Sequence, residues 1–397
     1  YWFASHNGSG DSFLVYWTGT RALITEGASP YSPAVAEAIQ QAYRERSIET
    51  PAPVRLTVPL YFMIFFLPFA LFGNETIALT IWLVVLEVSL GLFAIACIRL
   101  TRWRMNIWNL PLFALFVLTW FHSLIALKTG SVIVLVALLI AWSLLAIRNG
   151  LDELAGGLLA LATVEPGLAI LPIAFVLLWA GSQKRWKLVA WFLGFLVLLS
   201  MAGLFFLRDW PLQNIQAVFA SLDRLYPMTP RAAFIGWLPG VGNQLGWIFT
   251  GLSGLILLFE WWMAIRVKEF RWFLWTLCLT LVLGQWIGLP VDPVNYLLLL
   301  LPLTLVFAVW DERWRRSKSQ GRTAFVTIAS LLGLGLGLWA IYWYGANQGL
   351  GLYQMPVMRF VLPLFLVITL YWVRWWAIRP QQLYIEVLRE QEENPTG

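Results

Sequence analysis

Eleven stretches of the chain are almost free of charge and run at or near the length of a membrane span. They cover roughly 56–73, 76–98, 110–127, 131–147, 154–180, 187–207, 242–264, 271–289, 293–310, 323–344 and 357–377. A helix needs ~20 apolar residues to cross a ~30 Å hydrocarbon core, so the run predicts an all-α polytopic membrane bundle. Two stretches are not simple spans. Segment 56–73 is short and holds Pro59 and Pro68. Segment 154–180 is too long and is broken at Glu165-Pro166-Gly167; it predicts two half-helices meeting inside the bundle, where irregular backbone is tolerated only against protein or water.

The polar stretches between them set the orientation. Basic runs stand at Arg99-Arg102-Arg104, Arg148, Lys184-Arg185-Lys187, Arg266-Lys268-Arg271, Arg313 to Arg322, and Arg374-Arg379. If 154–180 enters and returns, every run falls on one side, the cytosolic side by the positive-inside rule. A single straight span there would put the later runs on the opposite side from the earlier ones. The loops on the other face are then 128–130, the turn at Glu165, 208–241, 290–292 and 345–356. Loop 208–241 is long enough for a surface helix at about Leu212–Leu225.

Residues 1–55 are less apolar and predict two surface helices. One runs from about Ser12 to Glu26, with Asp11 as N-cap and Gly27 just past the end. The other starts at Ser32-Pro33, a cap followed by proline at the first helical position, and ends near Arg46. Three regions follow: 1–55 as a surface loop, 56–378 as the bundle, and 379–397 as a cytoplasmic tail with a short amphipathic helix. Parity alone does not fix the side of residues 1–55, because it depends on whether 56–73 crosses.

Of the 397 residues, 60% are hydrophobic and 12% charged, about half the charged share of a soluble domain. This excludes a soluble enzyme, a disordered chain and a disulfide scaffold. The net charge of +6 lies in the orienting runs and does not call for nucleic acid. The tryptophans gather near segment ends as an aromatic belt. Cys97 and Cys278 lie in or at the end of apolar segments and read as packing residues. There is no phosphate-loop or dinucleotide glycine pattern and no His/Cys or Asp-x-Asp metal pattern. An activated substrate would therefore be a lipid carrier in the bilayer rather than a nucleotide.

The acidic residue, the Tyr-Trp pair and the proline turn in Asn7–Leu23 (NGSGDSFLVYWTGTRAL) and Glu26–Pro33 (EGASPYSP), with Val58–Ala70 (VPLYFMIFFLPFA) and Leu154–Pro166 (LAGGLLALATVEP), resemble glycosyltransferase family 87. That family contains polyprenyl-phosphate-mannose-dependent mannosyltransferases and belongs to the C-type glycosyltransferase superfamily. The likeness covers about the first half of the chain. It implies one helix ahead of Tyr1, an extracytoplasmic 1–55, a 56–73 that does not cross, and a multi-pass plasma- or inner-membrane protein with its site on the outer face. It also implies transfer of a mannose-like sugar, with inversion, from a polyprenyl-phosphate donor to a lipid or glycan acceptor, without cofactor or metal.

In that scheme Asp11 is the catalytic base. Its alternative role is the N-cap alone. Arg21, Lys128, Arg208 and Arg231 are candidate phosphate partners, each also readable as a snorkelling or solvated cation. His122 is a candidate phosphate or sugar ligand, or a packing histidine. Glu165 stands at the hairpin break, where many relatives carry Lys. Lys128-Thr-Gly replaces a Gly-Gln pair common after the 110–127 helix, so Lys128 would supply the missing positive charge.

These departures keep open a second reading, a non-catalytic relative serving as a structural subunit of a membrane complex. The broken helix and Glu87 keep open a third, a lipid or solute transporter. Glu87, in the middle of 76–98, should face the bundle interior and be paired or protonated there. Glu260, near the inner end of its helix, can reach the headgroups, and Asp292 and Asn295 could line a cavity.

Overall fold

The computed structural model describes residues 11–45, 54–105, 109–225, 230–287, 293–315, 320–349 and 355–378. The expected tail helix, Asp292, Arg379, part of the Arg313 to Arg322 run and Asn7–Gly10 of the Asn7–Leu23 motif lie outside them. Among the described residues the fold is entirely helical.

Two surface helices open it: α1 (Asp11–Arg21), continued by a π turn over Ala22–Glu26, and α2 (Pro33–Glu45). Their limits follow the local signals. Gly27 closes the first with φ +65, a left-handed residue that glycine adopts without strain. Ser32 Oγ accepts the Val35 N–H at 3.3 Å, the N-cap contact expected ahead of Pro33.

A 3-10 turn (Leu60–Phe62) and α3 (Met63–Ala70) follow. Together they span only about 16 Å. Both ends are held at the same place. Val58 O accepts from Tyr31 Oη at 2.8 Å and from Asn214 Nδ2 at 2.9 Å. Phe69 O accepts from Trp17 Nε1 at 3.1 Å, and Phe72 O from Arg21 Nη1 at 3.1 Å. Segment 56–73 is therefore tied at both its ends, to the surface helices and to Asn214, and its Leu60–Ala70 helix is shorter than a membrane span.

The bundle comprises α4 (Glu75–Thr101), α5 (Asn109–Thr119), α6 (Phe121–Lys128), α7 (Ile133–Arg148), α8 (Asp152–Ala162), α9 (Pro166–Ser182), α10 (Trp186–Phe206), α11 (Trp210–Leu225), α12 (Pro230–Trp237), α13 (Gly242–Ala264), α14 (Phe270–Gly284), α15 (Leu300–Arg315, entered through a 3-10 turn over Pro293–Leu299), α16 (Gln320–Asn347) and α17 (Pro356–Ile378). Six of these helices are long and apolar enough to cross a bilayer, or seven if α5 and α6, bent by 47°, count as one span. The apolar helices α7, α9 and α14 are shorter, at 16, 17 and 15 residues. The eleven apolar stretches of the sequence are thus not eleven equivalent spans.

The basic runs meet at one end. Arg148 Nη1 donates to Arg99 O at 2.6 Å. Arg185 donates to Ile147 O at 2.9 Å and pairs with Asp152. Gln183 Nε2 reaches Ile265 O at 3.1 Å. Trp103 Nε1 donates to Asp311 Oδ2 at 2.7 Å. Asp152 opens α8 and Arg185 follows α9, so their ion pair makes α8–α9 a hairpin that enters and leaves from the basic end. This is the geometry required to keep all later runs on one side. Residues 11–45 lie at the opposite end.

Gly156 sets the closest approach in the hairpin. A Cβ there would come within 2.6 Å of Leu188 O and 2.7 Å of Phe192 N, both backbone atoms of α10. Gly156→Val should lower stability by about 1–3 kcal/mol by forcing α8 from α10. At Gly157 a Cβ meets nothing within 4 Å, so Gly157→Ala should stabilise by about 0.5–1 kcal/mol through helix propensity. Thermal unfolding in detergent checks the opposite signs.

One expectation fails. Glu87 is exposed, on the same outward stripe of α4 as Val84 and Val88 (54% and 58% exposed), and does not face the bundle interior.

Candidate functional site

The surface region rests on two turns of the bundle and on α11, and these contacts gather part of the residue set singled out from sequence. The amides of Ser12 and Phe13, at the start of α1, donate to Thr129 O at 3.0 and 3.4 Å. Thr129 follows Lys128 in the α6–α7 turn, and the neighbouring Gly130 O accepts from Trp82 Nε1 at 2.8 Å. The donors left over at a helix N-terminus are thus met by another element. Asp11 O in turn accepts from Tyr43 Oη at 2.7 Å. Asp11 and the exposed Lys128 are held at the same junction by these backbone bonds.

The second contact is at the hairpin break. Tyr16 Oη donates to Glu165 Oε2 at 3.2 Å, and the Tyr16 ring stacks on Phe66 with centroids 4.9 Å apart. Tyr61 Oη lies 2.9 Å from Thr163 Oγ1. Thr163 and Glu165 bracket the turn between α8 and α9, so α1 and the re-entrant segment both grip the hairpin tip.

The third contact is with α11. Ser29 Oγ donates to Gln213 Oε1, and Asn214 shares the Val58 carbonyl with Tyr31. Burial, reinforced by the nearby Tyr61, pushes the Tyr31 phenol far above its ordinary pKa. It is a neutral donor here and contributes positioning, not acid–base chemistry.

Two residues past Glu165 a crevice opens between α9 and α14. It is narrow, with room for about one water molecule, and is lined by Gly167, Leu171, Pro172, Thr280, Gln285 and Asn295, among others. The expectation that Asn295 faces a cavity is met.

The remaining candidates are placed elsewhere or already engaged. Arg21 donates to Phe72 O at 3.1 Å and lies 5.3 Å from the Trp17 ring centroid, which makes it a clamp on the re-entrant segment. His122 is fully buried among the rings of Trp120, Phe121 and Tyr296 at 5.0, 5.3 and 5.3 Å. Tyr296 Oη donates to Arg359 O at 2.6 Å, so His122 belongs to an aromatic cluster joining α6, the 3-10 turn and α17. Arg208 is exposed in the turn before α11. Arg231 on α12 stands 5.0 Å from the Trp247 ring centroid on α13, in a corner closed by Phe234 and Phe360, 5.8 Å apart.

The sequence reading gave no site role to Tyr16, Tyr61, Thr163 or Asn214. Tyr61 carried a signal, as the one phenol in an otherwise apolar re-entrant segment, since a buried hydroxyl needs a partner.

Among the described residues no group of three or more His, Cys, Asp or Glu could hold a metal ion. Compared with protein-family models, curated proteins and solved structures, the chain matches none.

Proposed function

We propose that the chain is an inverting, polyprenyl-phosphate-sugar-dependent glycosyltransferase of the C type, working at the membrane face opposite the basic runs. The observation that carries this reading is the convergence at one junction. Asp11, at the head of a surface helix, is one residue from backbone bonds to the α6–α7 turn that carries the exposed Lys128, while the same helix contacts the hairpin break.

The residues divide the work as follows. Asp11 takes the proton of an acceptor hydroxyl as that oxygen attacks the anomeric carbon. The bond from that carbon to the phosphate oxygen breaks with its electron pair on the phosphate, and the centre inverts. Lys128 neutralises the growing charge on the leaving polyprenyl phosphate. The Ser12 and Phe13 amides are not placed to do this, because they already donate to Thr129 O.

The test is reconstitution in liposomes with a radiolabelled polyprenyl-phosphate sugar and candidate acceptors. Release of polyprenyl phosphate together with an inverted glycoside supports the reading. Neither binding nor turnover of any such donor would overturn it. A charge-assisted hydrogen bond contributes about 1.5–3 kcal/mol, so Lys128→Met should lower kcat/KM by about 10–100-fold.

A second reading, a structural subunit of a membrane complex, has two observations in its favour. Tyr16 occupies Glu165, and Glu87 presents a carboxyl outward from the middle of α4. That reading requires stoichiometric co-purification with a partner. A monomeric preparation with transfer activity would exclude it.

A further inference from the structure

Helix α11 is amphipathic the wrong way round for a helix packed on protein. Its buried and half-buried face carries Trp210, Gln213, Asn214, Ala217, Val218 and Ser221, and its open face carries Leu212, Ile215 and Phe219, which are 60%, 52% and 69% exposed, with the exposed Gln216 at their edge. At 100° per residue those three side chains fall within about 60° of arc. The polar face is used up. Gln213 accepts from Ser29, Asn214 donates to Val58 O at 2.9 Å, and Trp210 Nε1 donates to Ser200 O at 3.3 Å. An apolar stripe turned outward while the polar groups are satisfied inward is the arrangement of a helix lying in a bilayer interface.

The stripe also continues an apolar surface exposed at the end of α10. Helix α10, long and apolar enough to cross a bilayer, ends in Phe205 and Phe206, 88% and 56% exposed. Only residues 207–209 separate them from Trp210. Trp210 folds back on that end, since a Cβ at Gly203 would lie 2.8 Å from its Nε1. The stripe therefore begins where α10 leaves the hydrocarbon.

We infer that Leu212, Ile215 and Phe219 insert into the leaflet at the end opposite the basic runs, so that α11 is a lipid-bound float. Its inner face is tied to Ser29 and Val58, and it sets the height of the surface helices relative to the headgroups. The inference is independent of the reaction proposed above.

The experiment labels single substitutions Ile215→Cys and Phe219→Cys with a polarity-sensitive thiol dye, in the full chain reconstituted in phosphatidylcholine liposomes. Cys97 and Cys278 are both buried, so they should not react, and the unsubstituted chain measures any background. Glu37→Cys, on the exposed side of α2, is the aqueous reference. The inference expects a blue-shifted emission at 215 and 219, lost mainly to a lipid carrying a nitroxide high on its acyl chain and little to aqueous iodide, with the reverse at 37. Iodide quenching at 215 and 219 equal to that at 37 would overturn it. So would protection from both quenchers that disappears when the protein is diluted to one copy per vesicle, since a second copy would then cover the stripe.

Discussion

Asp11→Asn is expected to lower sugar transfer in liposomes by about 10²–10⁴-fold, the usual contribution of a positioned general base. The loss should fall on kcat with KM for the donor unchanged, because the proton is moved only in the transition state. The amide has the shape of the carboxylate, and backbone bonds help to hold this position, from Tyr43 Oη to Asp11 O and from the Ser12 and Phe13 amides to Thr129 O. Stability in detergent should therefore stay within about 0.5 kcal/mol of the parent. Transfer undiminished by the substitution would remove Asp11 from the reaction. Loss of activity together with loss of stability would instead assign it a structural role at the head of α1.

The parts of this site that could be read in the sequence are those with a local cause. Gly27 and Ser32-Pro33 fix the ends of the surface helices through backbone chemistry within a few residues. Glu165-Pro166-Gly167 breaks a helix wherever it stands. The basic runs order the topology because each acts alone on the membrane's sign rule. What could not be read depended on facing. Nearly every residue of α4 is apolar, so no periodic polar stripe says which side meets protein, and Glu87 turned out to face outward. His122 and Lys128 lie six residues apart on one short helix, but one is enclosed by Trp120 and Tyr296 while the other is exposed. Tyr16 and Glu165 are 149 positions apart, and no local pattern pairs them. Glu260 shows the same limit.

Glu260 was expected to reach the headgroups, and instead it is 3% exposed. Its partners come from α17: Arg374 Nη2 donates to Oε2 at 2.8 Å, and Tyr371 Oη to Oε1 at 3.2 Å. The two ends of this pair are not equivalent. The Arg374 side chain keeps a third of its surface exposed and lies near the end where the basic runs gather, 5.1 Å from the Trp275 ring centroid. Removing Arg374 strands a buried carboxylate with one phenol for company, whereas removing Glu260 leaves a cation that can turn to water or headgroups. Arg374→Leu should therefore cost about 3–5 kcal/mol, the usual result of orphaning a buried charge. Glu260→Leu should cost only about 1.5–3 kcal/mol, near the value of a lost hydrogen bond to a charged group. The double substitution should recover most of the larger loss, since replacing both partners of a buried pair with apolar side chains is often near neutral. Equilibrium unfolding of the three variants in mixed micelles measures the order. If Glu260→Leu proves the more damaging single change, the buried end of the pair has been misassigned and Arg374 is the group that the bundle encloses.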